Sequence, residues 1–428
     1  MEPKLKRSVS LFALTMYGIG IILGAGIYAI VGKAAGEAGN SLWLSFLIAA
    51  VVSMFTGLSY MELIPMFPQS AAEYIYVKNS LGNRLVAFVV GWVVLVAGVV
   101  SASAVAIGFA NYFSGLFGGH IVLVAAMLIA VLSVINFLGI SASTKINTVF
   151  SLIEVAGLLI VIFAALPYIG SVNLLEMPHG LTGVMSASAL IFFAFIGFED
   201  IANIAEETKN PEKTAPKALL LAVIITTTIY ILVGVSTVSL AGYEQLAASS
   251  APLAFAVSQV FGSNAFTLMS AIALFATANT VLILLIVESR MMYGMSRDGS
   301  LPKLFSRLQR TRRTPWAAIL VVMVCTMLFV ILENIQVVAS IADFSTFVVY
   351  GFVNASVIIL RFKESHKKRV FKVPVNIGKF PLLPFLGLVV IVLLAANLEP
   401  LIILLGIMIT LAAIPVYYLL RRIANLRI

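Results

Sequence analysis

Apolar runs of around twenty residues recur along the whole chain, and a helix needs about that length to cross the hydrocarbon core of a bilayer. They fall at about 11–32, 42–64, 84–115, 121–138, 146–166, 183–204, 217–241, 264–295, 316–332, 337–360, 381–396 and 401–420. Twelve transmembrane helices are predicted, the eleventh short, within one membrane domain spanning residues 1–428. Only 11% of residues are charged, which excludes a soluble globular domain, where about a quarter are. No small-residue cleavage site follows the first run, so it is expected to be a retained helix and not a signal peptide.

A net charge of +9 would suit a nucleic-acid partner if the basic residues clustered on a soluble face. Their placement argues otherwise. With a cytoplasmic N-terminus, 26 of the 27 lysines and arginines fall in inside segments and only Lys33 lies outside. That asymmetry is the positive-inside rule, so the charge reports topology in a cell membrane with both termini cytoplasmic, and no nucleic-acid partner is expected. Cys325 is the lone cysteine, and His120, His179 and His366 fall in or beside loops. Neither a metal site nor a histidine-based triad is expected, and the absence of a GxxxxGK[ST] motif sets aside ATP-driven pumping by this chain alone.

Within the first span, residues 18–28 read GIGIILGAGIY. Each glycine inside a helix costs roughly 0.5–1 kcal/mol relative to alanine. Either small residues are needed for a close helix crossing, or the helix is interrupted and its backbone offered to a ligand. The sixth span, ALIFFAFIGFEDIANIAEETKNPEKTAPKAL, breaks in the matching place, with Gly197 in mid-span followed by Glu199 and Asp200. Carboxylates at that depth are costly unless they are paired or face a polar cavity. Five spans per half would give residues 8–168 and 183–361 opposite topologies, with two further helices at 381–420. Interrupted helices in corresponding positions are what an inverted-repeat transporter requires.

Three motifs carry a resemblance to the amino acid-polyamine-organocation (APC) family of transporters. They are GIGIILGAGIY, FFAFIGFEDIANIAEETKNPEKTAPKAL and ESRMMYGMSRDGSLPKLFSRLQRTRRTPWAAI, supported by YMELIPMFPQSAAEYIYVKNSLG, where Ala71 and Ala72 replace a commoner glycine pair. The resemblance runs from about residue 8 to 420. It implies an all-α membrane protein with a LeuT-type 5+5 inverted repeat, broken helices 1 and 6 and two added helices, and alternating-access transport of amino acids or related amines. By the same resemblance, the N–H groups of Gly24, Ala25 and Gly26 would receive the substrate carboxylate. The positive end of the half-helix beginning there suits that role. The carbonyls of Ile22, Phe193 and Ile196, beside Gly197, would take the α-ammonium group, and the Phe193 ring would cap the site.

Ser101 and Ser103 are candidates for a pocket hydroxyl, or simply small residues at a helix crossing. Leu284 falls where some family members carry a large aromatic, and Asn279 and Ser345 are further candidates. Adjacent Glu199 and Asp200 would point about 100° apart on a regular helix and could not both face one site. Glu199 is expected to tie the sixth helix to the core, with Asp200 in a gating or structural role. Glu206, Glu207 and Lys209, with Arg290, Arg297 and Asp298, are either pairs closing the inner mouth or ordinary solvated charges.

Glu154 lies on the order of 12 Å into the fifth span at 1.5 Å per residue. Several family members carry a lysine at the resembling position, so the sign is reversed here. An apolar setting disfavours the charged form, which makes Glu154 a candidate for binding a coupling proton; the alternative is a structural hydrogen bond to helix 1 or 8. No other cofactor is expected. The chain reads as a secondary transporter of small or apolar amino acids, driven by protons or exchange. The nearest alternative is a cationic amino acid or polyamine exchanger, favoured if Glu154 or Asp200 faces the substrate, and another is a non-transporting amino acid sensor.

Overall fold

The structure, a computed structural model, describes residues 4–249, 251–331, 335–396 and 398–423, without the side chains of Ala25, Ala29, Ser263, residues 335–341 and Ile423. Residue 332, the expected end of the ninth span, lies outside the described residues. The chain is helical almost throughout. The first half contains α1 (Leu11–Leu23), α2 (Ala25–Ala38), α3 (Leu42–Met66), α4 (Ala72–Leu81), α5 (Arg84–Phe117), α6 (Ile121–Leu138) and α7 (Ile140–Ala165). The second contains α8 (Gly180–Phe195), α9 (Asp200–Asn203), α10 (Pro211–Ala248), α11 (Pro252–Phe261), α12 (Ser263–Arg297), α13 (Trp316–Val330) and α14 (Ile335–Lys363). A two-stranded ribbon, β1 (Asn376–Ile377) with β2 (Phe380–Pro381), then leads to α15 (Leu382–Ala396) and α16 (Pro400–Ile423).

Among the described residues, ten helical segments are long and apolar enough to cross a membrane. The expected ninth and eleventh spans correspond to α13 and α15, of 15 residues each, short of the roughly twenty that a bilayer core takes. Besides the short ribbon, two helices were not expected. The ten-residue helices α4 and α11 occupy what reads in sequence as connecting loops.

Local chemistry explains several boundaries. The Ser10 side chain accepts the Ala13 N–H at the start of α1, and Asn83 accepts those of Leu85 and Val86 at the start of α5. The α1–α2 segment and α12 are the most buried spans, whereas α16 is largely open on its outer face. α12 runs along α5, α10 along α3, α8 against α2 and α3, and α1 against α10 and α7. The two interrupted spans therefore lie at the centre of the bundle. Behind them, Arg361 of α14 forms a two-pronged contact with the buried Glu62 of α3, at 2.7 and 2.6 Å. The Val373 N–H also donates to Glu62, fastening the segment after α14 to the bundle.

Candidate functional site

The first interruption sits at Gly24, where ψ of −148° leaves the helical range between α1 and α2. A Cβ there would lie 2.2 Å from Thr280 Oγ1 of α12, so only glycine lets the break seat against that helix. The other glycines of the motif divide the work. Gly18 and Gly20 serve close packing, since a Cβ on Gly20 would lie 2.1 Å from Ser151 Oγ and one on Gly18 would lie 2.7 Å from Ile201. Gly26 opens onto a cavity.

The second interruption follows α8, where Ile196 is extended and Gly197 takes φ of +115°, a conformation that side chains other than hydrogen resist. The Glu199 carboxylate answers the freed Gly197 N–H at 2.8 Å and accepts the Tyr350 hydroxyl of α14 at 2.6 Å. It thereby fixes the break to the surrounding bundle. The Tyr230 hydroxyl of α10 is within hydrogen-bonding reach of both the Ile22 and Ala194 carbonyls, bridging the two interrupted helices.

Between the breaks lies a cavity of about 220 Å³. Ile22, Gly26, Ser101, Phe193, Ile196, Gly197, Glu199 and Asp200 all line it, as does Leu284. Gly24 does not line it, because it is turned against Thr280. Ala25 is likewise absent from the lining, although its backbone opens α2. Ser103 is spent on the Val100 carbonyl of its own helix. The expected divergence of Glu199 and Asp200 is corrected: both border the cavity, because residues 196–199 are unwound and the 100° step of a regular helix does not apply.

Glu154 lies elsewhere. It is fully buried on α7 and accepts from Asn279 Nδ2 of α12 at 3.1 Å. Asn279 also donates to Ser151, and Ser151 donates to the Met16 carbonyl of α1. Glu154 thus belongs to a polar cluster joining α7, α12 and α1, and its Oε2 has no hydrogen-bond partner among the described residues.

The charged residues near the end of α12 form ordered pairs. The Arg290 side chain is fully buried against Glu207, Arg297 pairs with Glu206, and Asp298 takes Lys78 at 2.5 Å and the Tyr74 hydroxyl at 2.5 Å. Glu206 also accepts the Ser70 N–H. Asn203 of α9 accepts the Ala72 N–H and donates to Glu73, so α4 is fastened across the end of the cavity. Burial pushes the Glu73 carboxyl above the ordinary range, opposed by hydrogen bonds from Asn203 and Tyr60. Backbone pairing ties the chain entry to the same region: Ser8 and Val9 N–H donate to the Glu207 carbonyl, and Lys209 N–H to the Val9 carbonyl.

Among the polar lining residues, sequence reasoning missed Glu73, Asn203, Thr280, Glu288, Asp343, Thr346 and Tyr350. A carboxylate in an apolar run, without a basic residue nearby in sequence, was the available signal for Asp343.

A multi-pass membrane protein whose two interrupted helices meet around a cavity that mixes apolar side chains with carboxylates is a solute transporter in architecture. The amino acid permease family profile matches residues 9–414, and the chain belongs to that family, within the APC superfamily. It is 30% identical to the branched-chain amino acid permease BcaP of Bacillus subtilis (strain 168), over 93% of this chain and 89% of that one. It is 31% identical to the methylthioribose transporter of the same organism, over 87% and 85% of the two chains. Against cationic amino acid transporter 4 of Homo sapiens the identity is 30%, over 85% and 61%.

Proposed function

We propose that this protein carries amino acids across the plasma membrane by alternating access, as a proton-coupled importer or an exchanger, with both termini cytoplasmic. The carrying observation is the cavity bounded by both helix breaks. Its lining joins the half-helix at Gly26, suited to a carboxylate, to the aromatic face of Phe193 and the aliphatic side chains of Ile21, Ile22 and Leu284.

A twelve-span, 5+5 inverted repeat accounts for the order of elements. Each half runs as a broken helix, a long helix, a ten-residue helix, a second long helix and two more: α1/α2, α3, α4, α5, α6, α7 against α8/α9, α10, α11, α12, α13, α14. The matching positions of α4 and α11 support that symmetry independently of the breaks. α13 and α15 would complete the twelve spans, with their flanking turns making up the thickness.

Glu154 is the proposed proton site. It is buried at the junction of α7, α12 and α1, where movement of α1 would change its surroundings. In proteoliposomes, an inside-alkaline gradient should accelerate substrate uptake by the wild type. Glu154→Gln should abolish that acceleration and retain substrate binding. Accumulation by the variant equal to wild type would reduce Glu154 to a structural tie, and absence of any amino acid flux would refute the transport reading and leave the sensor alternative. On substrate, a specific observation favours the cationic alternative over small or apolar amino acids: Asp200 borders the cavity.

A further inference from the structure

Five carboxylates line the cavity, Glu73, Glu199, Asp200, Glu288 and Asp343, and no lysine, arginine or histidine lines it among the described residues. Two of the five are answered by the protein: Glu199 by Gly197 and Tyr350, and Glu73 by Asn203 and Tyr60. The other three are not, and of these Asp200 and Glu288 are buried while Asp343 is only partly so. Asp200 and Glu288 are only 8% and 2% exposed, yet the Asp200 carboxylate accepts no hydrogen bond among the described residues, its backbone N–H alone donating to the Gly197 carbonyl, and Glu288 Oε2 has no partner among them. The nearest basic side chain in sequence, Arg290, is committed to Glu207 and Asn136.

Room has been made for this arrangement. Glu288 lies so close to α5 that a Cβ on Gly98 would sit 1.8 Å from its Oε1. Buried, unpaired carboxylates facing a cavity are costly as anions unless they take up a proton or a cation joins them. The position of the pair sets the length of what fits. Thr280, which abuts the first break, and Leu284 and Glu288 occupy successive turns of α12, all bordering the cavity. The break and Glu288 are therefore about 12 Å apart at 1.5 Å per residue. An amino acid with an ω-ammonium group six bonds from its carboxyl carbon extends about 7 Å at ~1.2 Å per bond. A hydrogen bond of about 3 Å at each end brings this to roughly 13 Å, with the methylenes passing Leu284.

We propose that the substrate carries a second positive charge and that Asp200 and Glu288 hold it, so that the site takes diamino carboxylates of lysine or ornithine length with the carboxylate at the α1–α2 break. This deepens, and rests on, the reading of the cavity as the amino acid site.

The test is calorimetric titration of the purified full-length protein with L-lysine, with L-norleucine, which lacks only the ω-ammonium, and with 2,3-diaminopropionate, which is too short to span the site. Lysine should bind roughly 30-fold or more tightly than either of the others. Asp200→Asn and Glu288→Gln should each bring lysine down toward the norleucine level. Norleucine binding as tightly as lysine, or lysine binding at wild-type affinity by the variants, would overturn the proposal. Should Glu288→Gln not fold, Asp200→Asn decides alone. Binding of neutral amino acids without preference for lysine defeats this inference and leaves amino acid transport standing, whereas failure of every amino acid to bind defeats both.

Discussion

Replacing Arg290 by methionine tests whether the fully buried guanidinium holds the end of the bundle together. Its Nε and Nη2 donate to the Glu207 carboxylate at 2.9 and 3.3 Å, and Nη1 donates to Asn136 Oδ1 at 2.6 Å and Ser289 Oγ at 3.0 Å. Methionine is of comparable length and would occupy much of the same space. It would leave Glu207, 1% exposed, without a counter-charge. Breaking a buried pair from one side costs about 3–5 kcal/mol, and an unanswered amide oxygen on Asn136 adds about 1–3 kcal/mol. Since the two terms share one cavity and are not fully additive, a loss of about 4–6 kcal/mol is expected. Unfolding free energies measured in mixed micelles by denaturant titration would report it. Adding Glu207→Gln removes the orphaned charge and should recover most of the pair term. A single variant within about 1 kcal/mol of wild type, or a double variant no more stable than the single one, would refute the argument.

Two further outcomes follow from the geometry. Gly26→Leu should abolish substrate binding in a folded protein, because a Cβ at residue 26 would already lie 3.3 Å from the Ala194 backbone and the rest of the side chain would enter the cavity; calorimetric binding within threefold of wild type would contradict it. In a Cys325→Ala background, single cysteines at Ser171 and Ser249 should be labelled in sealed cells by an impermeant maleimide, and those at Ser306 and Ser365 only after permeabilisation; labelling of the residue 306 cysteine in sealed cells would reverse the assigned orientation.

The two helix breaks were legible because glycine and acidic residues interrupt otherwise apolar runs, a conflict that only a non-helical, cavity-lining backbone resolves. The facing of Asp200 was not legible, because predicting it from a 100° step presumes the regularity that Gly197 removes. Glu288 was hidden by context: Arg290 stands two residues later in the motif, and only the fold shows that this arginine is committed to Glu207. The Glu62–Arg361 contact joins residues 299 positions apart, a pairing that no local pattern encodes. α4 and α11 were missed because ten-residue helices between longer spans resemble connections in composition, and tertiary packing stabilises them more than propensity does.

The backbone splice between residues 8–9 and 207–209 reduces the number of independent moving parts. The entry to α1 and the exit from α9 belong to different interrupted helices, yet three main-chain hydrogen bonds make them one lever. Displacing either must drag the other, so the two half-helices cannot open in sequence at that end without first breaking the splice. Two anchors, Arg290 on Glu207 and Arg297 on Glu206, then restrain the lever against α12. A spectroscopic ruler across the splice, with one label at Ser8 and the other at Lys209, would hold constant through the working cycle, while a second ruler from Ser8 to Lys78 would lengthen whenever that mouth opened.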